Sequence, residues 1–140
     1  MKAFKLLMLA FVLISSAIGE TFAAAASNMT QSVAGGGVTA KVTYLNPKSA
    51  DEPRFQIVLD THSVNLDAYD LKSIAMLRDE SGKIYSPSAA DNKGSGHHRE
   101  AVVSFPKLSP GAKRIELVIR DIGAVKERTF VGAWSKGRNG

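Results

Sequence analysis

The sequence predicts an all-β fold: an antiparallel two-sheet sandwich of immunoglobulin-like type with about seven strands. Three observations carry that prediction. Short stretches beyond residue 37 alternate β-branched or aromatic residues with polar ones at period two. Clusters of Gly, Pro, Asn, Asp and Ser separate these stretches about every eight to twelve residues. No long 3.6-residue period follows the N-terminal region. A small closed barrel is the alternative all-β arrangement.

The N-terminal region is of another kind. Lys2 and Lys5 precede an apolar run, LLMLAFVL, at residues 6–13, and residues 23–26 are all alanine. A positive start, a short apolar core and a small-residue end are the marks of a secretory signal peptide, assigned to residues 1–26. The apolar core is short for a bilayer span. No second run reaches spanning length, so no integral span is expected after cleavage, and the chain is expected in the periplasm or outside the cell. The chain has no cysteine. That excludes a lipoprotein anchor, disulfides, thiolate metal sites and thiol catalysis, and leaves the core to hold the fold alone.

Net charge is +5 over the whole chain. Removing Lys2, Lys5 and Glu20 with the leader lowers it by one. The charges are interspersed with both signs, as on a solvated surface. No basic run is interleaved with aromatics, so nucleic acid is not an expected partner.

Residues 27–37 are polar and end in Gly35-Gly36-Gly37, and read as a flexible leader. The sandwich domain is expected over 38–134, with a basic tail at 135–140. Val38, Ala40, Val42 and Tyr44 alternate with polar residues to form a first strand over 38–45. A loop bounded by Pro47 and Pro53 leads to a second strand, in which Phe55, Ile57 and Leu59 share one face. Residues 64–71 fit a short helical turn or an irregular crossover. Residues 71–79 fit a buried strand, paired across Asp79-Glu80-Ser81-Gly82 with a strand at 83–86. Residues 87–96 read as a long polar loop. Ala101, Val103 and Phe105 mark the next strand, which Pro106 closes, and Ile115, Leu117 and Ile119 mark the one after. Residues 121–124 turn the chain into a last strand over 126–134, with Arg128 and Phe130 on one face and Trp134 at its end.

The chemistry-bearing residues are the three histidines, which fall in two short segments. His62 lies just beyond the second strand, in Asp60-Thr61-His62-Ser63. His97 and His98 lie in Gly96-His97-His98-Arg99-Glu100, where the long loop enters a strand. Strand ends of a sandwich gather at its poles, so the two segments meet if they reach the same pole. Neutral imidazoles of His62, His97 and His98 would then bind copper or zinc, with Asp60 or Glu100 as a further ligand or supporting acceptor. Adjacent histidines on an extended segment point to opposite faces, so His97 and His98 share a metal only if the backbone bends. The structural alternative is that these side chains brace loops, with Arg99 paired to Asp60 or another acid. A hydrolytic triad of Asp60, His62 and a serine lacks a nucleophile elbow, and the acids offer no calcium-loop spacing.

The strings Asp60-Thr61-His62-Ser63-Val64, Leu66-Asp67, Gly96-His97-His98-Arg99, Phe105, Asp121-Ile122-Gly123, Val125 and Glu127-Arg128-Thr129-Phe130 together form a pattern. It resembles that of a group of small exported bacterial β-sandwich proteins of unassigned function. The likeness runs from about Val38 to Trp134. More loosely, the hairpin with Asp79, Gly82 and Tyr85 is similar to immunoglobulin-like accessory domains of bacterial surface proteins. The resemblance implies a sandwich and no activity. The expectation is a non-enzymatic binding or accessory domain of the cell envelope. It acts through a metal held by His62, His97, His98 and Asp60, or through a protein partner met by the same pole with Arg99 and Glu100.

Overall fold

The computed structural model describes residues 29–48 and 52–131. The expected signal peptide, the start of the expected leader, Trp134 and the basic tail lie outside the described residues. The strands are β1 (Thr30–Gly35), β2 (Val38–Tyr44), β3 (Arg54–Thr61), β4 (Ala75–Asp79), β5 (Ile84–Tyr85), β6 (Ala89–Ser95), β7 (His98–Ser104), β8 (Ile115–Ile122) and β9 (Val125–Phe130). They build two antiparallel sheets, one ordered β1-β2-β3-β7-β6 and the other β5-β4-β8-β9. A 3-10 turn (Leu66–Ala68) and one helical turn, α1 (Leu71–Ile74), carry the chain from the first sheet to the second.

Period-two alternation gives each sheet one apolar face. Val38, Ala40, Val42 and Tyr44 of β2 face inward with Phe55, Ile57 and Leu59 of β3 and Ala101 and Val103 of β7. Leu77 of β4, Ile115, Leu117 and Ile119 of β8 and Phe130 of β9 pack against them. Burying each large side chain contributes about 1.5–3 kcal/mol. Tyr44 stacks on Phe55 with ring centroids 4.5 Å apart, and Phe105 meets Phe55 edge-on at 5.9 Å. Leu66 and Leu71 of the crossover are fully buried and plug one end.

Four expectations are corrected. Thr30–Gly35, expected as flexible leader, is a strand paired to β2 along its whole length. Gly36 (φ 59°) and Gly37 (φ 76°) take the left-handed conformation at both central positions of a two-residue hairpin, so these glycines supply turn geometry and not slack. Part of the expected 87–96 loop is β6, whose polar side chains lack alternation because a solvent-facing edge strand is held by its backbone ladder to β7. Leu71–Ile74, expected within a strand, is helical because the Asp70 side chain caps it, accepting from Lys72 N at 3.0 Å. The last strand runs Val125–Phe130 and the turn before it narrows to Gly123-Ala124, since β8 continues to Ile122. With β1 and β6 added, the strands exceed the expected seven.

Each pole is closed by a buried charge. At one pole, Asp79 accepts from Ser81 Oγ at 2.5 Å, Ser81 N at 2.9 Å, Lys83 N at 3.0 Å and the Tyr85 hydroxyl at 3.0 Å. The Ser81 hydroxyl chiefly, with Tyr85 and the two backbone N–H groups, holds the Asp79 carboxyl below its ordinary value despite its burial. Beside it, the Glu80 carboxylate accepts from Lys113 N and Arg114 N. At the other pole, Arg128 is 2% exposed. It donates from Nη1 to Ile122 O at 2.9 Å and from Nη2 to Gly35 O at 2.6 Å, joining the two sheets. Burial pushes this guanidinium below its ordinary value, yet arginine stays charged at any working pH.

Two outcomes follow. Replacing Arg128 with Met removes both donors, so the Ile122 and Gly35 carbonyls each lose a charge-assisted bond and the sheets lose this tie. Arg128→Met lowers unfolding free energy by about 2–4 kcal/mol in urea titration. For Asp79, the folded pKa lies below the unfolded one. Its stabilisation is therefore complete above the unfolded value of about 3.9 and is lost as pH falls through the lower folded value. The Tm gap between wild type and Asp79→Asn stays constant from about pH 5 upward and narrows below about pH 4.

Candidate functional site: the histidine pole

The register brings the two histidine segments together. Asp60 of β3 stands opposite His98 of β7, and Thr61 N donates to His97 O at 3.0 Å. Odd-numbered residues at this end of β3 and β7, including Leu59, Thr61, Arg99 and Ala101, face the interior, whereas Asp60, His98 and Glu100 face outward. His62 lies in the bend that follows β3, and His97 in the two-residue turn between β6 and β7. Both are exposed.

His98 Nδ1 contacts Asp60 Oδ1. The side chains are 59% and 56% exposed, so water screens the pair and its worth is under about 1 kcal/mol. An Nδ1–H donor to a carboxylate fixes the ring orientation and leaves Nε2 as the open lone pair. Glu100, one outward position further along, accepts from the Gln56 amide. Among the described residues, no three of His, Asp and Glu stand together as a group that could hold a metal ion.

Arg99 is placed otherwise than expected. It is 8% exposed and points inward. Its Nη1 donates to Leu66 O at 2.8 Å and Tyr69 O at 2.7 Å, and Nη2 donates to Asn92 Oδ1 at 2.8 Å. The expected pairing with Asp60 is therefore corrected. A residue next to an outward His98 on a strand must face the other way, and Asp60 lies on the His98 side. Arg99 clamps the 3-10 turn from beneath and leaves the outer surface to the histidines.

Residues without an obvious chemical signal complete the frame. Thr61 Oγ1 donates to Gly37 O at 2.6 Å and accepts from Ser63 N at 3.2 Å and Val64 N at 3.1 Å, which fixes the bend that carries His62. Asp67 Oδ1 accepts from Gly96 N at 2.8 Å, and Leu66 N donates to Gly96 O at 2.9 Å, which fixes the turn that carries His97. The Tyr69 hydroxyl accepts from Gly123 N at 3.1 Å. The signal for Thr61 was present in Asp60-Thr61-His62-Ser63, since a hydroxyl two and three residues before backbone N–H groups makes a local turn. Nothing local marked Tyr69 or Asn92.

Comparison of the chain with known protein families, characterised proteins and solved structures finds no match in any of the three.

The Arg99 clamp has a measurable consequence. Lysine offers one point charge where arginine reaches three acceptors in a planar fork. Arg99→Lys lowers stability by about 1–3 kcal/mol. It also speeds amide exchange at Leu66 and Thr61 more than at Ile57 or Leu117 in native-state hydrogen exchange.

Proposed function

We propose that this chain is an exported, non-enzymatic interaction domain of the cell envelope whose working surface is the pole that carries His62, His97 and His98. One observation carries the reading: two loop segments with exposed imidazoles are fastened from beneath. Thr61 holds one, Asp67 and Leu66 hold the other, and the Arg99 guanidinium ties their shared neighbour into the interior. A rigid base under exposed, partly polar aromatic rings limits the entropy lost when a partner docks. Loops positioned by a sandwich are common places for recognition. The lysine start, apolar run and alanine end of residues 1–26 support export. Among the described residues no helix is long and apolar enough to cross a membrane.

The strand order supports reading the sandwich as immunoglobulin-like. With β2, β3, β7 and β6 as A, B, E and D, and β4, β8 and β9 as C, F and G, the two sheets follow ABED and CFG. The strand β5 then extends the CFG sheet beside C, and β1 extends the other beside A.

A second reading is a transition-metal site for copper or zinc. It draws on the Asp60–His98 pair, a carboxylate oriented on an imidazole, with His62 and His97 in adjoining segments. In this reading His62 and His97 swing toward His98 Nε2, and the ion supplies Lewis-acid or delivery chemistry.

The two readings separate in one set of measurements on the protein prepared without a histidine tag. A photo-crosslinking residue placed at His97 forms a discrete adduct in the exporting cell that survives chelator, while one at the exposed Lys107, beyond the far end of β7, forms none. Calorimetry with Cu(II) and Zn(II) is run on wild type and on the His62→Ala, His97→Ala, His98→Ala variant. One-to-one binding lost in the variant moves the assignment to the metal reading. Neither an adduct nor binding overturns both. The variant keeps its stability within about 1 kcal/mol, because all three side chains are exposed.

A further inference from the structure

We propose that the open edge of β1 is a self-association edge, at which a second copy of this chain adds its own β1 antiparallel about a two-fold axis at Ser32. Among the described residues the sheets have four edge strands: β1, β6, β5 and β9. Three are blunted in the ways edges usually are. β5 has only two residues. β6 carries Asp91 and Lys93 and bends at Gly94, which has a left-handed φ of 80°. β9 carries Lys126 and Glu127. The remaining edge, Thr-Gln-Ser-Val-Ala-Gly, has no charge and no proline, and its register with β2 is unbroken.

The backbone shows which groups are available. Tyr44 N donates to Met29 O at 2.7 Å, so Met29 and every second residue after it, Gln31, Val33 and Gly35, exchange bonds with β2. Thr30, Ser32 and Ala34 therefore turn their N–H and C=O groups off the edge. These three positions are symmetric about Ser32. Ser32 pairs with Ser32 of the second copy, and Thr30 pairs with Ala34 in both directions. That gives about six backbone hydrogen bonds. Ser32 and Ala34 are exposed and Thr30 is half-buried, and their small uncharged side chains leave the approach open. On the inner side Val33 is 36% exposed, and the added strand covers it.

Self-complementarity selects a second copy as the occupant: the outward positions pair with themselves about Ser32, and the edge carries no charge to repel its like. An isologous contact of this kind closes as a dimer without growing further. Six residues a side fall short of the roughly 1,200 Å² of a standard interface, so the dimer is weak, with a dissociation constant on the order of 10–500 µM. The β1 edge carries none of the three histidines, so this inference stands apart from the reading of that pole.

Sedimentation equilibrium over a concentration range up to about 1 mM tests it, together with amide exchange at low and high concentration. The expected result is a reversible monomer–dimer equilibrium, with protection gained at Thr30, Ser32 and Ala34 as concentration rises. Ser32→Pro removes an outward N–H that β2 does not use. It should weaken dimerisation at least tenfold while leaving the dilute-solution Tm unchanged. Ser32→Lys sets two like charges across the axis and does the same if the proline variant folds poorly. The proposal is overturned if wild type stays monomeric across the range, if protection appears on another edge, or if both variants dimerise like wild type.

Discussion

Two buried guanidiniums govern how the histidine pole of this sandwich closes. Where strands end, backbone carbonyls lose the ladder that satisfied them, and a buried carbonyl without a donor costs free energy comparable to a lost hydrogen bond. At this pole the carbonyls of Leu66, Tyr69, Ile122 and Gly35 each have a lone pair open to a side chain, and Arg99 and Arg128 supply the donors. Neither side chain forms an ion pair among the described residues; their partners are neutral oxygens, and the Nε of each has no hydrogen bond. Burying a cation in this way is expensive. It persists because one planar fork reaches several acceptors at once, which neither lysine nor an apolar side chain does.

The opposite pole is closed with the signs reversed. There the turn after β4 and the approach to β8 present N–H groups, and Asp79 and Glu80 accept them. The same chain thus uses donors where carbonyls are left over and acceptors where amides are left over. Between the poles the core is almost wholly apolar, with small residues, Ala40 and Ala101, among the rings and branched side chains. Without disulfides, these polar closures and the core together hold the ends of the strands.

This division has a functional corollary. Arg99, Arg128 and Thr61, which fasten the histidine pole, are interior, and its three histidines are exterior, so the two sets can change independently. His98 and Arg99 are adjacent in sequence and separated by a sheet in space. The outer face of the five-stranded sheet is a polar ladder, in which Asp60 meets His98, Glu100 meets Gln56 and Thr30 meets Thr43. It gives the first sheet a solvated surface that ends at the uncharged β1 edge.

Much of the architecture was legible in the sequence. Alternation at period two placed the inward residues of β2, β3, β7 and β8, because side chains on a strand must take opposite faces. It placed Arg128 on the same face as Phe130, and both are buried. The two histidine segments were visible as a cluster, and the turn at Asp79-Glu80-Ser81-Gly82 as a hairpin. The strands β1 and β6 were not legible, since an edge strand is held by backbone bonds to a neighbour and needs no apolar alternation. The role of Arg99 was not legible either: its acceptors are carbonyls of Leu66 and Tyr69, more than 25 residues away, and a carbonyl carries no mark of residue type. The sequence by itself determined the fold class and which side chains go inward, because those follow from local periodicity. Only the tertiary structure decided which strand ends meet, where the buried charges find their partners and which edge is left open. Those depend on pairing between segments distant in the chain.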